Sequence, residues 1–93
     1  MADFGKFAES LMSALRPNLS EQTLDGVDSM LDNGEINQAV IRAIAGAAQE
    51  QLSLPPAPHA EVRRRIEEGV SFRPKDANLL RHYFPSIQQV PAV

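Results

Sequence analysis

The segment from Glu35 to Leu52 constrains the fold more than any other part of the chain. Its apolar residues recur every three or four positions, and further apolar residues widen this stripe until little polar surface remains. The stripe consists of Ile36, Ala39, Val40, Ala43, Ile44, Ala47 and Ala48, widened by Ile41 and Ala45. Because a helix that is apolar on most sides must be buried, the segment predicts a central helix. Its alanines and Gly46 predict that neighbouring helices approach it closely.

Four further helices are predicted from apolar spacing and from the residues that begin and end helices. In each of them apolar residues recur on one side, and proline, glycine or an N-cap residue marks an end. They run from Asp3 to Arg16, from the N-cap Ser20 to the Asn33–Gly34 turn, from Pro58 or His59 to Glu68, and from Lys75 to Phe84. We therefore expect an all-α fold, a small bundle of four to five short helices with a Pro-rich connector at residues 54–58.

The rest of the chain shows little sign of regular structure. The run from Val70 to Phe72 alternates like a strand but is too short, and no strand pair is expected. Residues 1–85 are interpreted as a single helical domain and residues 86–93 as an irregular C-terminal tail. This tail either docks Ile87 or Val90 across the bundle or frays.

Chain length and the lack of cysteine limit the possible functions. A chain of 93 residues holds one modest core and has little material for a deep substrate cleft, which disfavours multi-step enzymes. Without cysteine there is no disulfide, thiol nucleophile or Cys-ligated zinc, and a reducing compartment is favoured. The longest weakly charged stretch, Ile36 to Ala48, is too short to cross a membrane, and no signal sequence is recognisable. We expect a cytoplasmic protein without a membrane partner.

Neither a catalytic motif nor a metal-ligand spacing is recognisable. His59 lies in the connector and His82 in the fifth helix, each without a partner at the spacing of metal ligands. The sequence lacks a glycine-rich phosphate loop, a nucleophile elbow and an HExxH motif. We therefore predict a protein that is not an enzyme, with no catalytic residues, no cofactor and no metal.

Charge is divided unevenly between the two halves of the chain. Residues 1–50 carry eight acidic and three basic side chains, whereas residues 51–93 carry four acidic and six basic ones. An acidic first half argues against general binding to a phosphate backbone, which requires a basic face.

The acids of the second helix form one stripe. Glu21, Asp25, Asp28 and Asp32 recur at i, i+4, i+7 and i+11, and Glu35 follows the turn. An ordinary solvated face is one interpretation. The other is that the stripe faces a cationic counterpart, because like charges four residues apart destabilise a helix. That counterpart is either an arginine of the second half or a basic surface on another protein, and these five residues are the predicted partner-binding residues.

Three consecutive arginines, Arg63 to Arg65, resemble a nucleic-acid patch. Consecutive helical residues point about 100° apart, however, so the three side chains fan round the helix instead of following a phosphate track. Glu61 lies four residues before Arg65, and Glu67 and Glu68 lie three and four after Arg64. Salt bridges within the helix are therefore the favoured interpretation.

Residues 19–66 resemble the Maf-type immunity proteins of bacterial polymorphic-toxin systems. The likeness is carried by the sequence LSEQTLDGVDSMLDNGEINQAVIRAIAGAAQEQLSLPP. In it a helix ends in the turn Asp32-Asn33-Gly34-Glu35, a helix with Ala39 four residues beyond Glu35 follows, and a proline-containing connector precedes the next helix. The resemblance implies a protein that binds a cognate toxin and covers its active surface, without catalysis.

Two other functions stay open at this point. The first is a nucleic-acid-associated regulator or antitoxin that uses Arg63 to Arg65 and the later basic residues, although we do not expect nucleic acid as a partner. The second is a structural adaptor or a homo-oligomer subunit whose apolar stripe is completed by a second copy.

Overall fold

A computed structural model of the chain describes residues 2–69 and 71–90. It confirms the all-α fold class. The helices are α1 (Ala2–Leu15), α2 (Glu21–Asp32), α3 (Ile36–Gln49), α4 (Pro56–Glu68) and α5 (Pro74–Tyr83), with a 3₁₀ turn at Phe84–Ser86. Two short strands, β1 (Ser53–Leu54) and β2 (Gln88–Gln89), complete the described elements.

Helix α3 is the centre of the bundle, as the sequence predicts. Helices α1, α2 and α5 and the 3₁₀ turn all pack against it. From Ala39 to Ala48 every residue of α3 except Arg42 is buried. The neighbouring elements contribute the largest fully buried side chains that surround it, which are Leu11, Leu15, Val27, Leu54, Val62 and Leu80. One core therefore holds all five helices.

Helices α2 and α3 approach each other closely at Gly46. A Cβ atom placed on Gly46 would lie 2.5 Å from the Cγ2 atom of Thr23, a distance that real Cβ contacts do not show. Thr23 is itself buried, so its methyl group has little free space to move into. The predicted role of Gly46 in close helix packing is thus confirmed, and its contact is with Thr23.

Left-handed residues end both α2 and α3. At the end of α2, Gly34 has a φ of 76°, and the Glu35 N–H donates to the Met30 carbonyl at 2.9 Å. This is the predicted glycine cap, in its Schellman form. At the end of α3, Gln51 adopts a φ of 59°. Helix α3 therefore stops at Gln49, before the predicted Leu52, although no glycine marks its end.

The expectation of no strand pair is wrong for four residues. Strand β1 pairs in parallel with β2, with Ser53 opposite Gln88 and Leu54 opposite Gln89. The Val90 N–H extends this pairing by donating to the Leu54 carbonyl at 2.8 Å. The two strands lie far apart in the chain and are two residues long, so no local sequence pattern marks them.

Helix α4 begins at Pro56, two to three residues earlier than predicted, which moves the Pro-rich connector towards the N-terminus. Pro55, with φ −57° and ψ 157°, precedes the helix, and Pro56 occupies its first turn. Proline suits this position because its fixed φ is helical and its missing N–H is not needed there. The connector is therefore residues 50–55, which contain β1.

The first part of the predicted tail is ordered against the bundle, unlike the irregular course expected. Ile87 is 2% exposed, and its carbonyl lies 3.2 Å from Nε2 of the buried His59. The His59 ring also packs at 4.6 Å from the ring of Phe84. Docking through Ile87 is thus confirmed, whereas Val90 is exposed. Residues 91–93, and Val70 of the predicted Val70–Phe72 run, lie outside the described residues.

The α2–α3 crossing generates a stability prediction for Gly46→Ala. The new methyl group would meet Thr23, and overpacking of this kind costs about 1 to 3 kcal/mol. Alanine gains about 1 kcal/mol in helix propensity, so we expect a net loss of up to about 2 kcal/mol in the free energy of unfolding, measured with urea.

Gly5→Ala is the matched control for this substitution. Gly5 also lies inside a helix, but a Cβ on it would meet nothing within 4 Å. This variant should gain up to about 1 kcal/mol through helix propensity alone. A Gly46→Ala variant as stable as Gly5→Ala would contradict the close crossing.

Candidate protein-binding surface

The five predicted partner-binding residues lie on α2 and on the turn that follows it. Glu21, Asp25 and Asp32 are exposed along α2, Asp28 is half-buried between them, and Glu35 is exposed at the start of α3. The opposite side of α2 carries the buried residues Thr23 and Val27. The structure therefore presents Glu21, Asp25, Asp28, Asp32 and Glu35 as one acidic stripe at the surface of α2 and its turn.

Asp28 forms an ion pair with an arginine of the same chain. Arg16, just after α1, donates to both carboxylate oxygens of Asp28, at 2.8 and 3.3 Å. These hydrogen bonds lower the pKa of Asp28 below its ordinary value. Both side chains remain about half exposed, so water screens the pair and its effect on stability is small. The predicted internal counterpart thus exists, but it comes from the first half of the chain and not from the arginines of the second half.

The other four acids of the stripe are unpaired. In residues 2–69 and 71–90, Glu21, Asp25, Asp32 and Glu35 form no ion pair. Glu35 precedes α3 but makes no side-chain cap to it. Their negative charges therefore face solvent.

Glu50, at the end of α3, fixes the beginning of α2. Its carboxylate accepts hydrogen bonds from the Ser20 N–H at 2.8 Å, the Ser20 hydroxyl at 2.9 Å and the Thr23 hydroxyl at 2.6 Å. The Ser20 hydroxyl oxygen in turn accepts from the Thr23 N–H, which is the predicted N-cap. The Thr23 and Ser20 donors lower the pKa of Glu50, because they stabilise its charged form.

An apolar groove runs beside the acidic stripe. It has a volume of about 380 Å³ and lies between α1 and the α2–α3 turn. Met12 and Ala8 of α1 line one side, and Leu31 and Ile36 line the other. Ile36 is 42% exposed, so the predicted buried stripe of α3 begins only at Ala39. An apolar centre beside charged residues is the arrangement that protein–protein interfaces show.

No match comes from comparing the chain with protein-family models, curated proteins and solved structures. The likeness of residues 19–66 to the Maf-type immunity proteins therefore stays a prediction, and the surface must be interpreted from its own geometry.

Two of the three consecutive arginines form salt bridges within α4, as their spacing predicts. Arg64 lies between two carboxylates, at 2.6 Å from Glu61 and 3.1 Å from Glu68. Arg65 donates to Glu61 at 2.8 Å and to the Ser71 hydroxyl at 2.7 Å. These bonds confirm salt bridges within α4 as the interpretation of the run. Arg63 is exposed.

The burial of Arg65 is not apparent from the sequence. Its side chain is 5% exposed, and its guanidinium lies 4.4 Å from the centre of the Phe7 ring, an arrangement that favours a cation. The sequence feature that could have indicated this burial is the pair Phe4 and Phe7 of α1. Their two aromatic rings lie on the side of α1 that packs on α4, next to Arg65.

Histidine and carboxylate side chains do not gather into a metal site in the described part of the chain. Over that part, no group of three potential ligands is close enough to hold an ion. His59 contacts the Ile87 carbonyl, and the His82 ring packs edge-on against Tyr83 at 5.3 Å. None of the described helices combines the length and the apolar character that crossing a membrane requires.

The Glu50 contacts predict a pH-dependent stability. Because the pKa of Glu50 is lowered in the folded state from its ordinary value of 4.5, its stabilising effect is complete above pH 4.5. The effect disappears as the pH falls through the folded-state pKa. Glu50→Gln should therefore be less stable than the original chain at pH 7, and the two should converge in acid.

Urea unfolding of both proteins between pH 7 and pH 3 checks this prediction. Glu67→Gln, which removes an exposed carboxylate without a hydrogen bond in the described residues, is the control and should lose no stability at pH 7. A constant difference between Glu50→Gln and the original chain across this range would show that the charge of Glu50 does not matter.

Proposed function

We propose that this chain is a non-catalytic protein-binding module, an immunity protein that neutralises a cognate bacterial toxin by masking a basic active surface. The observation that carries the proposal is the acidic stripe, in which four of five carboxylates are exposed and unpaired within the described residues. The resemblance of residues 19–66 to the Maf-type immunity proteins supports the same function.

The stripe lowers the stability of its own helix. Carboxylates at i and i+4, such as Glu21 and Asp25, repel each other by about 0.2 to 0.5 kcal/mol. Asp32 is the last residue of α2, where the helix dipole disfavours an anion. A basic partner surface would remove both costs and would be attracted over a distance before contact. Binding to such a surface is therefore the use that suits these residues.

Helix α2 is held in place before any partner arrives. Glu50 binds its first turn, Arg16 binds Asp28 at its middle, and the Gly34 turn fixes its end. A surface on a fixed helix loses little conformational entropy on binding. The neighbouring groove adds apolar area, with Ile36 as its most exposed large side chain.

The two alternative functions have less support. A nucleic-acid regulator would need Arg63 to Arg65, but Arg64 and Arg65 already bind carboxylates of α4. A homo-oligomer built symmetrically on the groove would bring two acidic stripes together, and their charges would repel. Measuring the molecular mass in solution tests whether the chain forms a homo-oligomer.

The proposal predicts the effect of reversing charges on the stripe. Asp25→Lys and Asp32→Lys change exposed acids that form no ion pair in the described residues, so they leave the Arg16–Asp28 pair intact. We expect the double variant to associate with its partner about tenfold more slowly at low salt, with an unchanged far-UV helical signal.

The partner for this measurement is the product of the adjoining reading frame, identified by co-purification. The control is Glu67→Lys, a charge reversal on α4, which should associate at nearly the original rate. Unchanged association by the double variant at low salt, or equal slowing by Glu67→Lys, would contradict the assigned surface.

A further inference from the structure

The second half of the fold has a cavity, open to solvent, that the acidic stripe does not use. It has a volume of about 430 Å³ and lies between α4, α5 and the residues that follow α5. Its apolar floor is formed by Ile66, Phe84 and Ile87. Arg63 and Arg81 also line it. Small-molecule sites commonly have volumes of about 300 to 1,000 Å³ and combine apolar walls with a few polar groups. The cavity therefore has the size and composition of a ligand site.

Arg81 is fixed in position at this cavity. It donates through Nη1 to the Asn78 side chain at 2.9 Å and through Nη2 to the Ile66 carbonyl at 3.1 Å. The Ile66 carbonyl belongs to the last turn of α4, where a helix leaves its carbonyls without donors. Because a guanidinium has five N–H groups, three remain for another acceptor.

Arg63 has all its donors available. Its side chain is exposed and forms no hydrogen bond or ion pair with the described residues. This separates it from Arg64 and Arg65, which follow it in the helix and bind Glu61. Two guanidinium groups thus line one cavity, and no carboxylate among residues 2–69 and 71–90 forms an ion pair with either of them.

The charge around the cavity favours a ligand with one negative charge. Glu67 is the one acidic residue of its lining, so two arginines and one carboxylate leave a net charge of +1. A phosphate dianion would exceed that charge, and a free inorganic anion would leave the apolar floor uncovered. A carboxylate is a monoanion whose planar shape matches the N–H groups of arginine.

We propose that this cavity binds a small organic carboxylate with an aliphatic body. The carboxylate lies between Arg63 and Arg81, and the aliphatic part covers Ile66, Phe84 and Ile87. His59 also lines the cavity, and its contact with the Ile87 carbonyl and its packing on Phe84 hold both residues in place. The site is formed by elements other than α2 and does not depend on the proposed immunity function.

The experiment is an NMR titration of the full chain at constant ionic strength with sodium octanoate, sodium acetate and octylammonium chloride. Octanoate and octylammonium share the aliphatic chain but differ in charge, whereas acetate has the carboxylate alone. We expect octanoate to shift the amide signals of Ile66, Glu67 and Ile87 saturably. Acetate and octylammonium should bind at least tenfold more weakly.

Three arginine variants locate the site. Arg63→Gln and Arg81→Gln should each raise the Kd of octanoate at least tenfold, whereas Arg73→Gln, an exposed arginine outside the cavity, should leave it unchanged. Arg63 is exposed and forms no hydrogen bond or ion pair with the described residues, so its variant keeps the test valid if Arg81→Gln is unstable. The proposal is overturned if octanoate causes no saturable shift, if octylammonium binds equally well, or if Arg63→Gln binds octanoate with the original Kd.

Discussion

The junction of Thr23, Gly46 and Glu50 is the constraint on which the rest of the structure depends. The Thr23 methyl group fills the space that a side chain at position 46 would need, and the Thr23 hydroxyl donates to Glu50, the C-cap residue of α3 four positions later. One side chain of α2 is thereby held in two directions, by packing and by a hydrogen bond to a carboxylate. This contact sets both the distance between α2 and α3 and the position of α2 along α3.

This junction determines which residues of α2 face the solvent. Once Thr23 and Val27 face the core, the residues between and beyond them must face outward, because a helix turns about 100° per residue. The acidic stripe is therefore displayed on a rigid helix, beside a groove that α1 and the α2–α3 turn enclose. Helices α4 and α5, with the residues that follow α5, form a separate cavity with the opposite charge. The uneven charge of the two halves thus becomes two separate surfaces on one small bundle.

The sequence was sufficient to predict features that depend on local patterns. Apolar periodicity predicts α3 as the central helix, and Ser20 and Gly34 mark the two ends of α2 through cap chemistry. The spacing of Glu61 and Arg65 predicts their salt bridge, because residues four apart are neighbours on any helix. The exposure of the acidic stripe follows from the same periodicity.

Features that depend on contacts between distant residues were not predictable. The Arg16–Asp28 pair and the Glu50 bonds to α2 join residues of different helices, so no helical spacing reveals them. The β1–β2 pair likewise depends on where α4 and α5 bring the end of the chain. At Gln51, the hydrogen bonds of the Gln51 and Leu52 N–H groups to two carbonyls of α3 hold a left-handed conformation that residue type alone would not indicate.

The cavity between α4 and α5 was likewise not predictable from the sequence. Arg63 and Arg81 are on different helices, and nothing in their spacing places them at one cavity. Of the two proposed binding surfaces, the sequence therefore indicated the one that lies along a single helix and not the one assembled from three elements.

A double-mutant cycle between positions 23 and 46 tests the junction most directly. Thr23→Ser removes the Cγ2 atom that a Cβ at position 46 would meet at 2.5 Å but keeps the hydroxyl that donates to Glu50. Unfolding free energies of the two single variants and the double variant give the coupling between the sites. We predict that Gly46→Ala costs about 1 kcal/mol less in the Thr23→Ser background than in the original chain. Equal costs in the two backgrounds would contradict the claim that this contact sets the position of α2 on α3.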